Sequence, residues 1–571
     1  MKSIFRKIGI FFFLAAVLIF FLVGTGYGND KSAELKKETE LLADEILSRM
    51  TEEEKIGQVL HIAIPAKNLD TIGIQEIQKI KPGGIILFGM NFGAKEEIQK
   101  LTSDLQNLAS IEKILPFLIS TDQEGGRVVR VQSVQEFPGA MAIGQVGVET
   151  YSERVGFFTS YQLKEHGINI FFAPVLDINN NPDNPVINTR SFGSDLETVL
   201  KMSEGFQRGA MDGGAIPVIK HFPGHGDTNI DSHLGLPVIQ KSQEELFQME
   251  LVPFQKSIEN GIRAVMSAHI VFPKLDPDLP ATLSPKILNK VLRDRFKFRG
   301  VIFTDAMEMK AISENYLDKK PGKLAILAGA DIVLLTSWGK VSSDYKLMLE
   351  EAVKEKAFDV NGKNVLNEAV KRQIILKLEN GIIPLNMYKS PKELLEKYLF
   401  EKKENSKKKY SEYIKKESPK KLNQILSRKS IRSYEKKFTP LTEKEISKTE
   451  FYVKNPFLKS ILKEMKLKEV KLSKKRQILY RLKKSKIVLA SEKLEDIEEI
   501  KKFILKNPNK NIILLHFGSP FLEFPKSKNL QILFSFSPTE ESLRALANSL
   551  SFKYSKNAIA TPNLILKNNP K

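Results

Sequence analysis

From Lys220 to His233 the chain reads Lys-His-Phe-Pro-Gly-His-Gly-Asp-Thr-Asn-Ile-Asp-Ser-His. Three histidines and two aspartates thus fall within 13 residues. An imidazole changes charge near neutral pH, so such a cluster points to proton transfer or to metal binding. Pro223, Gly224 and Gly226 break any helix between His221 and His225, which argues against the usual helical zinc spacing. A loop-borne metal site built from His221, His225 and Asp305 stays open. The favoured reading pairs Asp231 with His233. An aspartate two residues from a histidine can hold one ring nitrogen protonated, leaving the other to exchange a proton.

Asp305 closes the run Gly300-Val301-Ile302-Phe303-Thr304, which is apolar until it nears the carboxylate. A carboxylate set beside a proton-transfer dyad divides labour as retaining glycoside hydrolysis does, into a nucleophile and an acid/base. The carboxylate attacks the anomeric carbon, and water then cleaves the glycosyl-enzyme. Here a histidine takes the role usually held by a second carboxyl group.

These groups need a scaffold, and eight β-branched or aromatic runs supply one. They are Gly57–Pro65, Gly84–Phe88, Phe117–Thr121, Ile168–Leu176, Ile216–Lys220, Ala264–Ser267, Gly300–Thr304 and Asp331–Thr336. Amphipathic stretches separate them, among them Ala94–Leu108, Glu153–His166, Leu196–Asp212, Gln243–Asn260 and Lys286–Phe296. Near-continuous apolar strands alternating with helices predict a parallel sheet covered on both faces. Eight such units predict an α/β fold of the (β/α)₈ TIM-barrel type, whose chemistry sits on the loops after the strands. The third strand ends in Asp122–Arg127 with Arg130 beyond, and the fourth at Asp177 with Arg190 in the following loop. The fifth ends in Lys220-His221, the sixth near His269 and the seventh at Asp305. Polar groups at five consecutive strand ends predict one pocket. No glycine-rich phosphate fingerprint follows any strand, and no cofactor is expected.

Of the 571 residues, 42% are apolar and 27% charged, an ordinary globular composition. Cysteine is absent, which excludes disulfide scaffolds, thiol nucleophiles and cysteine-bound zinc. The net charge of +20 is uneven, because residues 391–571 hold 43 Lys and Arg against 20 Asp and Glu. Their surface offers a contact for anionic polymers or membrane, but the simpler reading is a solvated lysine-rich face, with no nucleic-acid partner. At the other end, Lys2, Arg6 and Lys7 precede an apolar run from Ile10 to Val23, then Gly24, Gly26 and Gly28. Residues 1–28 therefore read as a secretory signal peptide, or as an uncleaved membrane anchor, and place the remainder outside the cytoplasm. The expected organisation is a catalytic barrel over 29–390, a lysine-rich linker or solvated helix over 391–425, and a smaller α/β domain over 426–571.

Lys220–Thr228, Asp231-Ser232-His233, Asp122–Arg127 and Phe303–Met309 together resemble the β-N-acetylhexosaminidases of glycoside hydrolase family 3. The likeness runs in order from about Ala43 to Leu385, including Arg190-Ser191-Phe192-Gly193 and Ala281-Thr282-Leu283-Ser284. It implies that Asp305 is the nucleophile and that His233, oriented by Asp231, is the general acid/base. It further implies that Asp122, Arg130, Arg190, Lys220 and His221 bind the hydroxyls of a terminal N-acetylglucosamine, with no metal. The implied substrates are N-acetylglucosamine-terminated glycosides such as muropeptides, met in the periplasm or at the cell exterior. The C-terminal part resembles more weakly the α/β sandwich of two-domain members. Three other readings remain: a metal-dependent barrel hydrolase, a non-catalytic envelope sugar-binding protein, and a phosphorylase using phosphate in place of water.

Overall fold

The computed structural model describes residues 32–433, 438, 440–465, 485–525 and 527–550. The expected leader at 1–28 lies outside them. No helix among the described residues is long and apolar enough to cross a membrane.

Eight parallel strands form the barrel: β1 (Leu60–Ala63), β2 (Gly84–Ile86), β3 (Leu118–Thr121), β4 (Ile170–Phe171), β5 (Ile219–Phe222), β6 (Ala264–Ser267), β7 (Val301–Phe303) and β8 (Val333–Leu334). Pairing runs β8–β1–β2–β3–β4 on one side and β5–β6–β7 on the other. The ring closes because Ile216–Pro217, just ahead of β5, pairs with β4, and because Phe303 bridges Ile332. The interior is a packed layer containing Ala63, Leu118, Phe172, Val218, Met266 and Phe303. That filling leaves no pore, so a ligand site must form above the strands. His61 belongs to the interior too, with Nε2 against Ser120 Oγ at 2.8 Å. Burial pulls its imidazole down to about 3, so it packs as a neutral ring.

Most helical stretches match the sequence pattern, with two departures. The run Gln243–Asn260 divides into Gln243–Gln248 and Val252–Glu259. Pro253, which has no N–H to continue the earlier turn, sits in the first turn of the second piece. Residues Lys286–Arg295 wind as a π-helix rather than an α-helix.

The stretch at 391–425, expected as a linker or solvated helix, is helical but packs on the barrel, as helices Glu393–Lys416 and Pro419–Lys429. Among the lysines of the first helix, Tyr410 stacks on Tyr161 at 4.3 Å and Tyr413 meets Phe157 edge-on at 5.1 Å. Leu395, Leu422 and Leu426 are buried in the same core as the barrel helices. A few apolar residues at helical spacing decided the outcome, and average composition concealed them. The boundary expected at 425/426 therefore falls inside the second helix.

The C-terminal unit is a five-stranded sheet of β9 (Arg432–Ser433), β10 (Thr449–Tyr452), β11 (Lys486–Ser491), β12 (Asn511–His516) and β13 (Leu530–Phe534). Its order is β9–β13–β12–β11–β10, parallel except for β9. An apolar cluster covers each face, giving a three-layer sandwich. Met141 and Ala142 of the barrel join one cluster beside Leu489 and Phe536, and the Gly139 N–H donates to Ser537 Oγ at 3.3 Å.

Candidate active site

A cavity of about 540 Å³ opens where the barrel strands end. Asp122, Arg130, Arg190, Lys220, His221, His233 and Asp305 all line it, drawn together from the ends of four strands, β3, β4, β5 and β7. Asp231 stands directly behind His233.

The charged wall follows β3, β4 and β5. Lys220, buried at the end of β5, directs Nζ to Asp122 Oδ1 at 2.8 Å and to Glu124 Oε1 at 2.6 Å. Glu124 also receives Arg190 through two bonds, Nε to Oε2 at 2.9 Å and Nη2 to Oε1 at 2.8 Å. Burial alone would raise the Glu124 carboxyl, but Arg190 and Lys220 outweigh it and hold it well below the usual carboxylate range. Burial likewise opposes the charge on Lys220, and Asp122 and Glu124 raise its amine above the ordinary lysine value. The hairpin carrying Glu124 turns tightly. Gly126 has φ +59°, and a Cβ there would meet Gly139 Cα at 2.6 Å.

Asp177 organises the histidines. Its Oδ2 faces His221 Nδ1 at 2.7 Å, and Oδ1 accepts from the backbone N–H groups of His221 (3.2 Å) and His225 (2.7 Å). His225 Nε2 meets Ser232 Oγ at 2.9 Å, tying the end of β5 to the dyad segment. Burial, reinforced by the charge of His221, lowers the His225 imidazole to about 4, so it packs neutral. Gly226 lets this loop lie against the chain after β4, since a Cβ would sit 1.6 Å from Ile178 O. Peptide bonds Ala173–Pro174, Lys220–His221 and Phe222–Pro223 in this region are cis.

His233 stands out from this buried set, with 61% of its side chain exposed. Its Nδ1 lies 2.9 Å from Asp231 Oδ1, and the same oxygen accepts the His233 backbone N–H at 2.8 Å. Nδ1 thus carries the proton, and Nε2 is left for exchange. Asp305 Oδ1 accepts the Ala306 N–H at 2.8 Å. Burial works against ionising Asp305, yet the charges of His221 and His269 and the Ala306 bond bring its carboxyl below the ordinary value. His269 spans Thr282 Oγ1 and Ala306 O, both at 2.9 Å, and so braces the segment after β7.

Among the described residues no three His, Asp or Glu side chains converge as a metal-ligand set. His221, His225 and Asp305 instead have the separate partners given above.

The sequence points to eight residues of this centre and to His225 only as a ligand of the metal alternative, and it assigns no role to Glu124, Asp177, His269 or Glu308. Glu124 lay inside the Asp122–Arg127 motif, and Asp177 and His269 lay at strand ends. Their positions were therefore visible, but their partners were not.

The family model for the glycosyl hydrolase family 3 N-terminal domain matches residues 51–374. Beta-hexosaminidase A of Pseudoalteromonas piscicida is 37% identical over 277 residues, which are 45% of this chain and 46% of that enzyme. The beta-hexosaminidase of Hydrogenovibrio crunogenus is 35% identical over 299 residues, 50% of this chain and 81% of its own length. Among solved structures, a family 3 beta-N-acetylglucosaminidase from a Paenibacillus species superposes with a TM-score of 0.75 at 28% identity. That match covers 88% of this chain and 97% of the other, so it extends through both folded units. With its closed barrel and the cavity at the strand ends, the chain belongs to glycosyl hydrolase family 3, as a glycoside hydrolase of the β-hexosaminidase branch.

Proposed function

We propose that this protein is a retaining, exo-acting β-N-acetylglucosaminidase that removes terminal β-linked N-acetylglucosamine through a covalent glycosyl-enzyme. The observation carrying this reading is one cavity lined by both Asp305, held ionised, and His233, whose Nδ1 is tied to Asp231. In the first step an Asp305 carboxylate oxygen bonds to the anomeric carbon as the glycosidic C–O bond breaks. The departing oxygen takes the proton from His233 Nε2. In the second step neutral His233 takes a proton from water, whose oxygen displaces Asp305 and regenerates the carboxylate.

The charged wall supplies the exo preference. Asp122, Arg130, Arg190, Lys220 and His221 bind the hydroxyls of the terminal sugar, leaving its anomeric carbon toward Asp305. Lys220 and Arg190 are neutralised by Asp122 and Glu124, so they act as fixed hydrogen-bond donors rather than as bare charge. Glycosides of cell-wall fragments, cleaved outside the cytoplasm, are the proposed natural substrates. The order of basic, apolar and small residues at the N-terminus supports that address.

The test is turnover of 4-nitrophenyl N-acetyl-β-glucosaminide by the purified protein, with and without phosphate, followed by muropeptides. The reading expects release of free N-acetylglucosamine at a rate that phosphate does not change. A sugar phosphate as product makes the protein a phosphorylase. Inert muropeptides beside an active aryl glycoside remove the cell-wall assignment.

A further inference from the structure

The cavity has two unlike walls. Strands β3 and β7 stand opposite one another in the ring, and the charged groups gather on the β3–β5 side. The facing wall, from the ends of β7, β8 and β2, is largely apolar, with Phe88, Met309 and Leu334 among its residues. Beyond Asp305, Glu308 is the one carboxylate on that wall among the described residues.

Glu308 is unlike the other acids of the site. Asp122 and Glu124 share Lys220, whereas no lysine or arginine among the described residues pairs with Glu308. Both its carboxylate oxygens are withdrawn from solvent with no hydrogen bond of good geometry, although its own N–H, the Thr336 N–H and the N–H and hydroxyl of Ser337 approach them. Burial accordingly raises its carboxyl above the ordinary value. A buried acceptor left in this state is costly unless a ligand supplies the donor. Two residues past Thr336, which lines the cavity, stands Trp338, the only tryptophan of the chain and 36% exposed. An indole following directly on the cavity wall and a cavity carboxylate without a cation would together offer an apolar face for a sugar ring and an acceptor for its hydroxyls.

We propose that Glu308 and Trp338 form the subsite for the leaving-group sugar, Glu308 accepting a hydrogen bond from one of its hydroxyls while its ring lies against the indole. This rests on the reading of the substrate as a terminal hexosaminide. The leaving oxygen departs on the face of the anomeric carbon opposite Asp305, within reach of His233, and in this proposal its sugar crosses the cavity mouth to the facing wall that carries Glu308. Glu308 is thus a specificity-determining residue that favours a saccharide leaving group over a simple alcohol or aryl group.

The test compares the β-1,4-linked disaccharide of N-acetylglucosamine with 4-nitrophenyl N-acetyl-β-glucosaminide. In Glu308→Ala the ratio of kcat/KM for disaccharide over aryl glycoside should fall about tenfold, as loss of a hydrogen bond to a charged group predicts. Glu308→Gln, which keeps one acceptor oxygen, should recover part of it. An unchanged ratio, with both substrates losing equally or neither losing, overturns the assignment. Wild-type turnover of the aryl substrate separately reports whether the hexosaminidase reading holds. As the only tryptophan, Trp338 also gives a direct signal. In Asp305→Ala protein its fluorescence should respond saturably to the disaccharide and much less to N-acetylglucosamine. Equal responses to the two sugars, or no response to either, contradict a leaving-group subsite at Trp338.

Discussion

Glu124 grips Arg190 with both carboxylate oxygens, at 2.8 and 2.9 Å, while one of those oxygens also takes Lys220 at 2.6 Å. Two cations from different strand ends thus converge on one buried acid, fixing the wall against which a sugar must lie. Glu124→Gln keeps the shape and removes the charge, leaving Lys220 with Asp122 and Arg190 with no carboxylate. Breaking a buried charge pair costs about 3–5 kcal/mol, so the urea midpoint should fall and KM should rise. An unchanged midpoint would mean that the cluster adds nothing to stability.

His233 is exposed and, among the described residues, hydrogen-bonded to Asp231 alone, so its replacement should damage chemistry more than folding. His233→Ala should lower kcat/KM by ~10²–10⁴-fold for poor leaving groups, the usual share of general acid–base catalysis. The loss should shrink for leaving groups that depart without a proton. Equal losses across a series of aryl glycosides of graded acidity would remove His233 from the acid role.

Much of this centre was legible before any coordinates. Val301-Ile302-Phe303 reads as a doubly buried strand because both faces meet apolar layers, and barrel geometry then sends Asp305 to the same mouth as Lys220 and His233. Partnership across long stretches of chain was not legible. Nothing local to Glu124 announces Arg190, 66 residues away, and nothing local to Asp177 announces His221. Glu308 lies inside the Phe303–Met309 stretch, and its lack of a cation partner shows only once its surroundings are packed. The helix Glu393–Lys416 was obscured for another reason, since its lysines dominate the composition while a few tyrosines and leucines determine where it docks.

Lys377 offers a test of the barrel floor. Its Nζ donates to Gln58 Oε1 at 2.8 Å and to Gly83 O at 2.9 Å, and burial lowers its amine from 10.5 to about 7. Between those values the unfolded chain holds a proton that the native state has released, so this group's contribution to stability grows as pH rises. Thermal melts from pH 7 to 9.5 should show the wild type gaining on Lys377→Met. A gap that stays constant or narrows would contradict the lowered value.

Chain ends make a further prediction. A chain stopped at Asn386 loses Leu395, Tyr410, Tyr413, Leu422 and Leu426, which pack on the barrel, and it should melt early. One stopped at Ser430 keeps them and uncovers the face at Met141 and Ala142 that the C-terminal sandwich covers. It should fold less stably than the full chain yet still cleave the aryl glycoside. A well-folded, inactive Ser430 chain would place an essential group in the second unit.

The covalent role of Asp305 is the centre of the account, and trapping tests it most directly. A slow 5-fluoro-N-acetylglucosaminyl fluoride should inactivate the enzyme with one sugar bound per chain. After proteolysis, mass spectrometry should find that sugar on the peptide holding Asp305, and Asp305→Ala protein should take up none. A label on another residue, or turnover of the reagent with no adduct and an inverted product, would contradict Asp305 as the nucleophile.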